Sequence, residues 1–194
     1  AGAIIPFFFH NVFGYHTRMF IGDGGTLVMG MMMSMFTISI LGQNSVCAGY
    51  AESGLSLVAM TLAILAIPVF DTLRVMTSRI IRGTSPFHPD KTHLHHLFIE
   101  LGFSHAGTTI SILTINFLVV VLWFVSYKLG ASIEVQLYIV IALSILTTFI
   151  FYTYANKKMK KQGKTLAFFR KIAKLLNFEK KGFWLSLQKM IDKV

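Results

Sequence analysis

The chain has 194 residues, a net charge of +10, and 54% hydrophobic against 13% charged residues. That length suffices for one domain, but the composition excludes an ordinary soluble one, because apolar runs near the ~20 residues needed to cross a ~30 Å hydrocarbon core recur along it. The charge does not point to nucleic acid either. Of the 18 Lys and Arg, 12 fall in the last 38 residues, beside the apolar segments, where anionic lipid headgroups are the fitting partner.

The chain opens Ala-Gly-Ala-Ile-Ile-Pro-Phe-Phe-Phe, apolar from its first residue and without a charged n-region or small-residue cleavage site. Residues 1–9 are expected to be the tail of an earlier span in a longer protein. Four spans follow by hydropathy, Gly24–Gly42, Leu55–Phe70, Gly107–Leu129 and Ile133–Ala155. The second runs on through Asp71–Arg82, where apolar Leu73, Val75, Met76, Ile80 and Ile81 are interleaved with Arg74, Arg79 and Arg82, as in a helix leaving the bilayer. Pro68 is expected to kink it. The fold class is all-α, a polytopic membrane helix bundle with cytoplasmic loops. Residues 1–156 form its transmembrane part and residues 157–194 a basic amphipathic tail. Lone Cys47 has no internal disulfide partner.

Orientation follows from the basic residues. Arg18, the group Arg74, Arg79, Arg82 and Lys91, and the tail lie on one side, 17 residues against Lys128 alone on the other, so the first side is cytoplasmic. All seven histidines fall in cytoplasmic segments (His10, His16, His88, His93, His95, His96 and His105), as do Asp23, Asp71 and Asp90. In Thr165–Phe178 the residues Leu166, Phe169, Ile172, Leu175 and Leu176 recur at helical spacing between Arg170, Lys171 and Lys174. That pattern suits a helix lying in the membrane interface against anionic lipids.

Two stretches concentrate chemistry. In Phe-Ile-Gly-Asp-Gly-Gly-Thr-Leu-Val-Met-Gly, residues 20–30, Asp23 stands among glycines where a loop meets a span. It either caps the following helix or holds a metal beside backbone N–H groups. In Ser-Pro-Phe-His-Pro-Asp-Lys-Thr-His-Leu-His-His, residues 85–96, the histidines admit three readings: zinc ligands, a solvated loop, or an anion site. Zinc needs three or four converging ligands, and His93, His95 and His96 lack the i, i+4 spacing of a helical zinc site. In the anion reading, imidazoles, Lys91 and arginines contact phosphate oxygens while carboxylates hold Mg²⁺ across a diphosphate.

Together the two stretches resemble a known family. Residues 20–30 are similar to the Met-Gly-Asp-x-Gly-Ser-Leu-x-x-Gly motif of the polyprenyl-phosphate N-acetylhexosamine-1-phosphate transferases, and residues 68–104 to their long cytoplasmic motif. The resemblance covers about Asn11 to Ser104. His-Leu-His-His resembles the branch that uses UDP-N-acetylglucosamine, whereas the branch making the first peptidoglycan lipid intermediate has three adjacent histidines. Thr26 stands where the family motif has serine and keeps the hydroxyl.

The resemblance implies transfer of a sugar 1-phosphate from a UDP-sugar to undecaprenyl phosphate with release of UMP, at the cytoplasmic face of a bacterial inner membrane. It implies that Asp23 binds catalytic Mg²⁺, or Mn²⁺ in its place, and that His93, His95 and His96 line the nucleotide-diphosphate site. Asp71, Arg74 and Arg79 match polar positions near phosphate or sugar, and Asn11 matches an asparagine ahead of the glycine–aspartate motif. The family's Asp-Asp motif does not occur here and belongs to an earlier loop, so the expectation is a C-terminal half that is inactive alone. A homodimer is left open. The alternatives are a divalent-cation transporter, which expects ionisable residues inside the spans, and an accessory protein that binds polyprenyl lipids.

Overall fold

A computed structural model describes residues 4–13, 22–42, 54–87, 92–161 and 164–176, with single positions at 47, 49, 182, 186, 189 and 190. The described residues contain no strand. Their helices are α1 Ile4–Phe13, α2 Gly22–Leu41, α3 Leu57–Ile64, α4 Ala66–Ile81, α5 Leu94–Glu100, α6 His105–Lys128, α7 Ile133–Ile145, α8 Phe151–Lys161 and α9 Lys164–Leu175. A π-helical turn, Leu146–Ile150, joins α7 to α8 without a break.

Among the described residues, three stretches are long and apolar enough to cross a bilayer, Gly24–Leu41, His105–Lys128 and Ile133–Met159, and a bent pair of helices makes a fourth if it is one span. On α2, Leu27, Met31 and Ile38 are 74%, 67% and 71% exposed. Apolar side chains so presented suit lipid, not water, as the surrounding solvent. The chain is thus a helical membrane bundle, as expected.

The expected span Leu55–Phe70 is not one straight helix. It breaks at Leu65, and α3 and α4 meet at 73°. The eight residues of α3 reach only ~12 Å at 1.5 Å per residue, too short to cross a ~30 Å hydrocarbon core alone, and the kink expected from Pro68 is present just before that residue. Pro68 has no N–H to offer Ile64, four residues earlier, and its ring crowds that carbonyl. Asn116 of α6 repairs the gap. Its Nδ2 donates to Ile64 O at 3.0 Å, and its Oδ1 accepts from the Ile67 N–H at 3.1 Å. A backbone break at membrane depth needs such partners, because lipid offers none.

Two cores hold the bundle. In one, Ala59 and Ala63 of α3 and Ala66 at the start of α4, all without exposed surface, let this segment approach α6 and α7 closely, and Val119, Trp123 and Val140 fill the space. Small residues permit close backbone approach, the usual driver of helix association in lipid. Buried Gln136 ties that end together, donating to Gly54 O and Ala131 O and accepting from the Ser56 N–H. The other core forms at the opposite end from Leu94, Leu97, Phe98, Leu101 and Phe103 on and after α5, with Ala155, Leu166 and Ala173. There Gly102, at φ +96°, reverses the chain so that Phe103 N–H reaches Phe98 O and their rings meet edge to face at 5.2 Å.

Of the expected apolar stripe of α9, Leu166, Phe169, Ile172 and Leu176 pack, together with Ala173, onto the core beneath α5, while Leu175 is 71% exposed. Arg170, Lys171 and Lys174 remain on the surface. The boundary between residues 156 and 157 falls inside α8, which continues to Lys161.

Candidate functional site

The site is built where α4 leaves the bundle and the chain turns back into α5. Asp71 and Arg74, three residues apart on α4, are 8% and 5% exposed. Buried charges are tolerated only when paired and hydrogen-bonded, and both conditions are met. Asp71 Oδ1 accepts from Arg74 Nη2 at 2.7 Å and Nε at 3.2 Å. Arg74 Nη2 also donates to Thr92 O at 2.5 Å, and the guanidinium stacks 3.6 Å from the centre of the Tyr152 ring on α8. The π turn sets this up, since its extra residue rotates everything after it by about 100°.

Asp71 then organises the histidines. Its two oxygens accept the Leu94 N–H, each at 3.2 Å, satisfying a free donor at the start of α5. Its Oδ2 lies 3.0 Å from His93 Nδ1. A neutral His93 donates from Nδ1 and presents Nε2 as an acceptor; a protonated ring presents Nε2–H as a donor. The rings continue outward: His93 and His95 stack at 5.9 Å, and His95 and His96 sit 4.1 Å apart. Surrounding protein, which disfavours the imidazolium, and then repulsion from His96 and His93 hold His95 below the ordinary histidine value of 6.5; Asp71 opposes this. The three imidazoles are therefore brought together, with the first anchored and His95 exposed.

The other expected residues have different surroundings. Arg79 donates from Nη1 to Pro86 O and so holds the turn after α4. Asn11, on α1, donates from Nδ2 back to Phe7 O at 3.1 Å. Asp23 is the second residue of α2, following Gly22 at φ +69°, and its side chain lies outside the described residues, as do His16, His88, Asp90 and Lys91. Among the described residues no group of three or more His, Cys, Asp or Glu is placed to hold a metal ion. Asp71 has both oxygens taken, so the described residues by themselves do not fit a magnesium site.

Thr72 and Leu73, next along α4, face away from the histidines into an open groove of about 700 Å³ between α2 and the helix break, lined also by Met33, Thr37, Leu65 and Pro68. Sequence reasoning did not single out Asn116 or Tyr152. A polar residue in mid-span was the available signal for the first. For Tyr152 no local signal exists, because its role depends on the π turn.

No family model and no solved structure matches the chain. Curated relatives do. The decaprenyl-phosphate N-acetylglucosaminephosphotransferase of Mycolicibacterium smegmatis is 34% identical over 108 residues, 54% of this chain and 26% of the relative. That of Mycobacterium tuberculosis is 30% identical over 135 residues, 68% of this chain and 31% of the relative. The undecaprenyl-phosphate alpha-N-acetylglucosaminyl 1-phosphate transferase of Escherichia coli is 33% identical over 104 residues, 53% of this chain and 26% of the relative. The chain spans about a quarter to a third of the length of these relatives. Over that shared stretch it is a homologue of the polyprenyl-phosphate N-acetylglucosamine-1-phosphate transferases.

Proposed function

We propose that the chain is part of a bacterial plasma-membrane phosphotransferase that moves N-acetylglucosamine 1-phosphate from a UDP-sugar to a polyprenyl phosphate and releases UMP at the cytoplasmic face. The observation that carries this reading is the row of three imidazoles held by the buried Asp71–Arg74 pair at one end of the bundle. Imidazoles fixed side by side suit the oxygens of a diphosphate, and a transfer of this kind is promoted mainly by positioning and charge stabilisation. His95 and His96 would donate to the UDP-sugar phosphates, with His93 locked behind them by Asp71. Arg79 would shape the loop beside them. The apolar groove along α2 offers room for an isoprenoid chain, and its end at Thr72 and Leu73 adjoins Asp71 in the sequence.

Mg²⁺ belongs to this proposal through Asp23 alone, on the strength of the sequence motif, and would neutralise diphosphate charge. Asp23→Ala is expected to abolish metal-dependent UMP release.

The direct test replaces the matching stretch of the Escherichia coli relative with residues 11–104 of this chain and follows UMP release from UDP-N-acetylglucosamine in the presence of undecaprenyl phosphate. Turnover that falls at least ~100-fold in His95→Ala/His96→Ala is expected, within the range typical of positioned groups acting in the transition state. A chimera that turns over equally well without both imidazoles would sink the assignment.

A further inference from the structure

Helix α4 has a second functional face. The stripe Leu65, Pro68, Val69, Thr72 and Leu73 lines the apolar groove. Arg74, Thr77, Ser78, Ile81 and Arg82 repeat the same spacing nine residues later. Nine residues are two and a half helical turns, which puts the second stripe on the opposite side of α4. It forms one wall of an open cleft of about 440 Å³ whose other wall is the π turn and α8, with Tyr152, Asn156 and Lys157.

The cleft's chemistry is one-sided. Arg74, Arg82 and Lys157 line it, with hydroxyls and an amide between them, and among the described residues no carboxylate does. Arg82 and Lys157 are exposed and have no acidic partner among the described residues. Arg74 is buried, with Nε and Nη2 committed to Asp71 and Thr92. Its guanidinium lines a space that also holds two further cations, Arg82 and Lys157. Phe149 and Ile81 add apolar surface to the same walls, Ile81 being 79% exposed. A free inorganic anion has no use for that surface; an amphiphile does.

We propose that this cleft binds the phosphate group of an anionic amphiphile, such as an anionic lipid headgroup, with Arg74, Arg82 and Lys157 around the phosphate and Phe149 and Ile81 against the adjoining chains. It lies across α4 from the groove assigned to the isoprenoid and does not depend on that assignment. Because Arg74 also holds Asp71, an occupant here would tighten the support of the histidine helix from behind.

The test uses the full chain in detergent, titrated with short-chain phosphatidylglycerol, with phosphatidylcholine of the same chains, and with inorganic phosphate, binding being read by native mass spectrometry and calorimetry. Phosphatidylglycerol bound at least ~10-fold more tightly than phosphatidylcholine, and weakened roughly 10- to 30-fold in Arg82→Gln/Lys157→Gln, supports the lipid source; that loss is the order expected for removing two juxtamembrane cations. Inorganic phosphate bound as tightly, with the same sensitivity to the double variant, overturns the amphiphile assignment, because the apolar walls would then add nothing. Unchanged thermal unfolding of the double variant separates loss of ligand from loss of fold, and Ser78→Leu, which fills the cleft at constant charge, should also weaken binding. Phosphatidylglycerol and phosphatidylcholine bound alike, or binding untouched by both variants, overturns the proposal.

Discussion

Asp71 Oδ2 and His93 Nδ1, 22 residues apart in the chain, lie 3.0 Å from each other. The same carboxylate receives Arg74 and the first amide of α5, so one side chain joins the helix leaving the bilayer to the helix that carries the histidines. Asp71→Asn keeps the shape but leaves the buried Arg74 cation without its counter-charge. A loss of about 3 kcal/mol is expected, as for breaking a mostly buried pair from one side, together with loss of the fixed His93 tautomer. Chemical unfolding in detergent and ¹⁵N spectra of the imidazoles check both; parental stability with an unchanged His93 tautomer would refute the role given to this carboxylate.

Asn116→Leu removes both bonds at the α3–α4 break and leaves Ile64 O and Ile67 N–H facing apolar surroundings. A cost of about 1–2 kcal/mol is expected, within the measured range for side-chain hydrogen bonds in membranes. Pro68→Ala in the same chain should recover part of it, because alanine restores an N–H able to reach Ile64 O and straighten the helix. Distances between spin labels on α3 and α4 report the angle, and a bend of 73° that persists in Asn116→Leu/Pro68→Ala argues against this account.

A side chain at Gly107 would meet the end of α9. Its Cβ would lie 3.1 Å from Leu176 O and 3.2 Å from Ser104 Oγ, and the backbone oxygen cannot rotate away. Gly107→Leu is therefore expected to lift α9 from the core and to speed trypsin cleavage after Arg170 and Lys171 several-fold. Cleavage at the parental rate would mean that α9 docks independently of this contact.

His95 sets a pH dependence. Its folded value lies below the ordinary 6.5, so the unfolded chain takes up this proton first as the pH falls. This group's contribution therefore lowers stability as the pH drops from about 6.5 through the depressed folded value, and then levels off. His95→Gln should flatten that part of the profile. Imidazole NMR titration of the parent should show His95 still neutral where a free histidine is half protonated; a midpoint at or above 6.5 contradicts the crowding described here.

Tyr152→Leu removes the ring beneath Arg74 while keeping an apolar residue. A loss of about 1–2 kcal/mol is expected, typical of a desolvated cation–π contact, and Tyr152→Phe should retain most of it. Equal destabilisation by both changes would place the contribution in the hydroxyl, not the ring.

Much of this molecule is determined by one-dimensional information. Uninterrupted apolar runs decide which segments cross a bilayer, because length and hydropathy alone set that free energy. Ser104, Ser132 and Gly102 punctuate the helices through local capping and turn chemistry. Helical spacing revealed the amphipathic stripe of α9, and residue types at short spacing pointed to Asp23 and the histidines. Periodicity says that a stripe must be covered but not by what, so only the tertiary structure could lay most of the α9 stripe on the core beneath α5. The helix break is legible as a proline, yet the backbone groups it frees are satisfied by Asn116, distant by 48 residues from Pro68. The network around Asp71 is likewise made of partners from α4, α5 and α8, whose meeting depends on a π turn that no local propensity announces. Local chemistry sets the segments and their ends, while the pairing of buried polar groups, which lipid cannot satisfy, is decided by packing.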